Sequence, residues 1–187
     1  GPDTRFFAQA LLDYVDEPDF LERTLRLETG ATREFNDRLT GSLGLALQTS
    51  RVTDRFQPKD ADGNYPERSF TLFSVPTSLE WDLRENALDP TDGYYIDAGL
   101  EPFAYLDGAG GGGAQATLDA RAYRSLTDSL VLAGRVQLGA LVGPEAENAP
   151  PEFLFYSGGG GTVRGQPFRS LDASYDGRSL GGRSFAG

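Results

Sequence analysis

Alternation with a period of two constrains this chain more than any other feature. Between Leu39 and Thr49 the odd positions are Leu39, Gly41, Leu43, Leu45, Leu47 and Thr49; the even positions are Thr40, Ser42, Gly44, Ala46 and Gln48. Successive side chains of an extended backbone point to opposite faces, so this stretch predicts a strand with one aliphatic face and one small, polar face. Residues 130–142 repeat the pattern, with Leu130, Leu132, Gly134, Val136, Leu138, Ala140 and Val142 on one side and Arg135 and Gln137 on the other. Residues 94–106 set Ile96, Ala98, Leu100, Ala104 and Leu106 against Asp97 and Glu101, and residues 114–124 set Ala116, Leu118, Ala120 and Ala122 against Gln115, Thr117, Asp119 and Arg121. Weaker versions occupy 4–15, 23–35 and 69–83, the last with Phe73, Val75, Thr77, Leu79, Trp81 and Leu83 in its apolar row. The expectation is an all-β antiparallel meander of seven strands, with Arg183–Gly187 beginning an eighth.

The connections alternate in length. One set (36–38, 84–93 and 125–129) is short, and the other (16–22, 50–68, 107–113 and 143–182) is generally longer. Outer-membrane barrels have short periplasmic turns and long extracellular loops, and a tilted strand needs about 9–11 residues to cross the hydrocarbon layer. Phe35, Phe56, Phe70, Tyr94, Tyr95, Tyr105 and Tyr123 sit near strand ends, where an interfacial aromatic girdle would lie. Alternation alone also describes a soluble β-sandwich. Two features weigh against it: the polar face mixes Gly, Ser, Thr and Gln with charges of both signs, and the apolar rows hold much Ala and Gly, which would build a thin soluble core.

Composition narrows the chemistry. None of the 187 residues is Cys or His, so thiol and imidazole nucleophile–base pairs and the usual zinc ligand sets cannot form here, and no enzymatic activity is expected. A formal net charge of −11 argues against nucleic acid and against docking on an anionic membrane surface. No apolar run is long enough for a transmembrane helix, and no leader peptide opens the chain, so for an outer-membrane protein a leader is expected upstream of residue 1. With 24 Gly and 11 Pro there is turn chemistry to spare for a meander.

Two stretches carry a resemblance. Phe153-Leu154-Phe155-Tyr156-Ser157-Gly158-Gly159-Gly160-Gly161-Thr162-Val163-Arg164-Gly165 resembles the long-loop signature of the BamA/TamA superfamily of outer-membrane β-barrel assembly proteins (the bacterial surface antigen type of barrel). Trp81-Asp82-Leu83-Arg84-Glu85-Asn86-Ala87-Leu88-Asp89-Pro90-Thr91-Asp92-Gly93 is similar to that family's periplasmic turn, with Asp82, Arg84, Pro90, Thr91 and Gly93 in its pattern and Glu85 where Asp is usual. Asp176–Phe185 resembles the re-entry into the strand after the loop. The resemblance covers residues 68–187 well and 1–67 by pattern only, and its wording is closest to TamA-like members. Gln166 departs from it, standing where an aromatic usually follows Arg-Gly.

The resemblance implies a partial outer-membrane barrel over residues 1–187, the middle of a sixteen-stranded barrel, with residues 143–182 as a long extracellular loop folded into the lumen. The remaining strands and the periplasmic POTRA domains would lie outside the chain. It implies insertion of client β-barrel proteins, autotransporters among them, into outer-membrane lipid, without cofactor or metal. A periplasm-spanning partner such as TamB is implied for the TamA-like case. Arg164 would lock the loop onto acidic side chains beyond Gly187. The two-partner secretion transporter of the same superfamily, a passive porin and a soluble β-sandwich binding module are the alternatives.

Local readings of other residues are plainer. Gly108–Gly113 is a surface loop, because no Lys or helix start follows as a phosphate cradle requires. Asp13, Asp16, Glu17 and Asp19, and the polar loop 54–68, lack the spacing of a calcium loop and read as solvated. Asp82 and Arg84 pair structurally across their turn.

Overall fold

The computed structural model describes residues 3–55, 57–107, 111–158, 174–175, 178–179 and 181–187. Strands β1 (Asp3–Asp16), β2 (Phe20–Asn36), β3 (Leu39–Asp54), β4 (Glu67–Ser74), β5 (Thr77–Asp82), β6 (Gly93–Tyr105), β7 (Gly112–Thr127) and β8 (Leu130–Val142) follow in order; β9 (Ser174–Tyr175) and β10 (Arg178–Ser179) pair only with each other. β11 (Ser184–Ala186) returns to pair with β8. The nine-stranded main sheet runs β1-β2-β3-β4-β6-β7-β8-β11, with β5 bridging β3 and β6, and every pairing is antiparallel. The seven-strand meander with the start of an eighth is therefore present.

Its fourth position is divided. β4 and β5 pair with the same two neighbours in continuous register, from Ala46↔Ser74 to Leu43↔Thr77 on one side and from Ser74↔Phe103 to Thr77↔Leu100 on the other. The break at Val75–Pro76 falls beside Pro102 of β6, and neither proline has an N–H for the ladder. The Pro76 and Pro102 carbonyls still accept, from Gly44 N at 2.8 Å and Val75 N at 3.0 Å.

Register sorts the two faces. On the outer face Leu27, Leu47, Phe73 and Ala104 form one row, and Leu79, Ala98, Leu118 and Leu138 another. Much of this apolar face is open: Leu27 is 48% exposed, Leu47 46% and Leu79 46%, and along the same face Leu43 is 58% and Leu132 61%. An apolar patch of this extent on a folded protein marks contact with lipid or another apolar partner. The opposite, inner face carries Glu22, Thr24, Gln48, Ser50, Asp54 and Ser74, all buried.

The strands overrun the sequence expectation at one end. β3 continues to Asp54 rather than Thr49, β2 begins at Phe20, and Gly112–Gly113 lie in β7 instead of a loop. There the inner face turns apolar with Phe20, Val52, Phe70, Leu72, Phe103 and Leu141, so alternation fades while pairing continues. The girdle assignment also needs correction. Phe70 (6% exposed), Tyr95, Tyr105 and Tyr123 occupy inner-face register positions; Phe35 and Tyr94 face outward, Tyr94 edge-on to Trp81 at 5.6 Å. Phe56 lies outside the described residues.

Candidate functional site: the long connection on the inner wall

The connection after β8 turns back over the inner face. Gly143 takes φ +118, where a Cβ would meet Gly113 Cα at 2.7 Å, so only glycine permits the reversal. Two short 3-10 turns follow, Ala146–Asn148 and Pro151–Phe153. They press Ala149, Phe153 and Leu154 onto the apolar patch of the wall, and Phe153 reaches Phe103 at 4.6 Å between ring centroids. Polar contacts fix the course: Gln115 Nε2 donates to Phe153 O at 3.1 Å, and Tyr105 OH donates to Asn148 O at 3.3 Å.

The two arms of the connection then meet. Phe155 N donates to Gly182 O at 2.9 Å, and Gly182 N donates to Phe155 O at 2.7 Å, closing a neck around residues 156–181. Below the neck Arg183 Nη1 reaches Glu145 Oε2 at 2.8 Å, and Leu141 N donates to Arg183 O at 2.7 Å. The ring of Phe155 lies on Gly139 of β8.

Next to this apolar patch the wall is polar and paired. Arg26 Nη1 reaches Glu101 Oε1 at 2.8 Å and Arg26 Nη2 reaches Glu28 at 3.0 Å, while Ser74 Oγ donates to Glu101 at 2.7 Å. Such pairing offsets the desolvation of an enclosed Arg. Arg68 pairs with fully buried Asp54. Thr24 Oγ1 lies 2.8 Å from Ser50 Oγ, 3.4 Å from Glu22 Oε1 and 3.5 Å from Glu152 Oε2, so a loop carboxyl and a wall carboxyl share one hydroxyl. Loss of hydration and then the Glu22 carboxylate push the Glu152 carboxyl up from its ordinary range.

Towards the short-turn end, Asp119 accepts from both Arg121 (2.9 Å) and Arg135 (2.5 Å). The Tyr95 ring lies between Arg84 and Arg121, at 4.8 and 5.2 Å from centroid to guanidinium carbon. Arg84 belongs to the turn motif and pairs with Asp82 at 2.6 Å. In the same turn Glu85 accepts from Thr91 N and Thr91 Oγ1, both at 2.7 Å, and from Asp92 N at 2.8 Å. These donors hold the exposed Glu85 carboxyl down at about 2. Gly93 takes φ +104 against Leu83 and Arg84, which excludes a side chain there; Pro90 precedes the hydrogen-bonded Thr91–Asp92 pair.

The motif residues thus fall into two places. Asp82, Arg84, Pro90, Thr91 and Gly93 build the turn between β5 and β6. Gly158, buried with φ +109, is the last described residue of the loop motif's first half. Gly159, Gly160, Gly161, Val163, Arg164 and Gly165 lie outside the described residues. Sequence reading missed the Asp119 fork, the Thr24 contact and the Phe155 seat on Gly139. Glycine at an inner-face position in a well-alternating strand was the available signal for the last.

The sequence of residues 5–187 matches the family model of the Omp85 superfamily domain. No curated protein sequence matches. Among solved structures the chain is similar to BamA from Haemophilus ducreyi lacking POTRA domains 1–3, with a TM-score of 0.73 at 15% identity. The match covers 99% of this chain and 40% of that one, so the chain spans under half the length of its structural relative.

Proposed function

The chain belongs to the Omp85 superfamily of the bacterial outer membrane, and on that premise we propose that it is part of a barrel that inserts or translocates other outer-membrane proteins. The observation that carries the reading is the long connection fastened to the inner wall by Phe153, Phe155 and Gly182. In this reading the outer rows meet lipid, the short turns face the periplasm, and the neck closed by Phe155 and Gly182 lies on the lumen side of the wall. Arg164 then anchors the loop on carboxylates of strands beyond Gly187, since its planar fork suits carboxylates and a desolvated guanidinium requires pairing. The clients are unfolded β-barrel proteins, which a sheet edge with free N–H and C=O groups can template. No chemical step, cofactor or metal is needed. Within the superfamily the motif wording favours a TamA-like member, with autotransporters as clients and a periplasm-spanning partner of the TamB kind.

The experiment is Arg164→Ala in the full-length protein, read by protease sensitivity of the loop and by insertion of a client barrel. The expected result is a more sensitive loop and weaker insertion. Unchanged sensitivity together with unchanged insertion would overturn the reading.

A further inference from the structure

We propose that Gly139 and Phe155 form a size-matched seat that fixes how far the long connection reaches along the inner wall; this rests on the reading of that connection as the barrel's internal anchor. Both arms of the connection converge on Gly139. Phe155 of the outgoing arm covers it, and a Cβ there would stand 2.7 Å from Cδ1 and from Cζ of the ring, closer than van der Waals contact allows. Phe185, on the returning arm, is its register partner across β11 and β8. The Phe155–Gly182 hydrogen bonds tie the two arms together directly above.

The seat is specific because its neighbours are filled. Along β8 the adjacent inner-face positions are Gln137 and Leu141, and across β7 Gly139 faces Thr117, itself flanked by Gln115 and Asp119. A slip of the neck by one inner position, two residues or about 6.8 Å along an antiparallel strand, would drive the ring into one of those side chains. Between Gln137 and Leu141 on β8 the glycine is therefore the hollow where the Phe155 ring rests on backbone, and it fixes where the outgoing arm lies on the wall. Gly134 on the same strand has open space around its Cβ position, so a missing side chain there has no such role.

The test uses the full-length protein in outer-membrane vesicles, with heat-shifted electrophoretic mobility reporting the folded barrel. Gly139→Val is expected to fold but to expose the connection to trypsin about tenfold faster, as overpacking a fitted contact does. Adding Phe155→Ala to Gly139→Val should restore protection, because the valine then occupies the space the ring has vacated. Gly134→Val should behave as wild type. Wild-type protection in folded Gly139→Val, or a double variant no better protected than the single one, would overturn the proposal. Should Gly139→Val fail to fold, Phe155→Ala alone decides: an emptied seat predicts faster cleavage, and unchanged cleavage refutes it. Client insertion is scored separately; released connections with normal insertion would leave the seat standing and remove the assembly role.

Discussion

Phe155 and Gly182 exchange both of their backbone hydrogen bonds, although 26 residues of chain separate them. The pair converts an open connection into a loop with a closed neck. Gly182→Pro removes the N–H that Phe155 O accepts, and leaving a covered carbonyl unpaired costs about 1–3 kcal/mol. The expected outcome is roughly tenfold faster exchange of the Phe155 amide, measured by hydrogen exchange; unaltered protection would show that the neck is held elsewhere.

Phe153 is only 3% exposed and meets the Phe103 ring at 4.6 Å. Truncating a buried phenylalanine costs about 3–5 kcal/mol. Because Phe153 belongs to the connection, Phe153→Ala should loosen residues 145–155 while strand pairing persists. Exchange rates should rise in that segment and stay unchanged in β2 and β3.

Asp119 holds Arg121 and Arg135 together. Asp119→Asn leaves two like charges on paired positions of β7 and β8. Both arginines are partly solvated, so water and salt keep the effect small. Thermal unfolding at low salt should drop by a few degrees, and the difference from wild type should shrink at high salt.

Glu85 orders its turn through Thr91 and Asp92. Its carboxyl is depressed from 4.5 to about 2, foremost by the Thr91 hydroxyl and then by the Thr91 amide. A carboxyl depressed on folding lends stability above its ordinary value and loses it as the pH falls towards the folded one. Protection of the Thr91 and Asp92 amides should therefore decline between about pH 4.5 and about pH 2. In Glu85→Gln that decline should be absent, with weaker protection at neutral pH.

How much of this was legible depended on which solvent each residue meets. Leu43, Leu45 and Leu47 face outward, and their alternation with Ser42, Gly44 and Ala46 marked the strand from sequence alone. Where the connection covers the wall, Phe20, Val52 and Phe70 turn inward, the contrast between faces is lost, and the strand ends were placed too early. Tyr95, Tyr105 and Tyr123 lie near strand ends, but their parity aims them inward, and that parity is fixed by register with distant strands. The turn from Asp82 to Gly93 was readable because its hydrogen bonds are local. For the seat on Gly139 only the glycine was visible, at an inner position of a well-alternating strand; its partner Phe155 is brought there by folding of the long connection.

The proposed barrel sets one face of this sheet in lipid and turns the other to the barrel interior. The chain contains no cysteine, so single cysteines can be placed along β3 in a cysteine-free full-length protein and spin-labelled in a bilayer. Labels at 43, 45 and 47 should collide with oxygen and be shielded from a water-soluble nickel chelate. Labels at 42, 46 and 48 should show low oxygen exposure. Collision with the chelate at 43, 45 and 47, or the absence of a two-residue period, would contradict it.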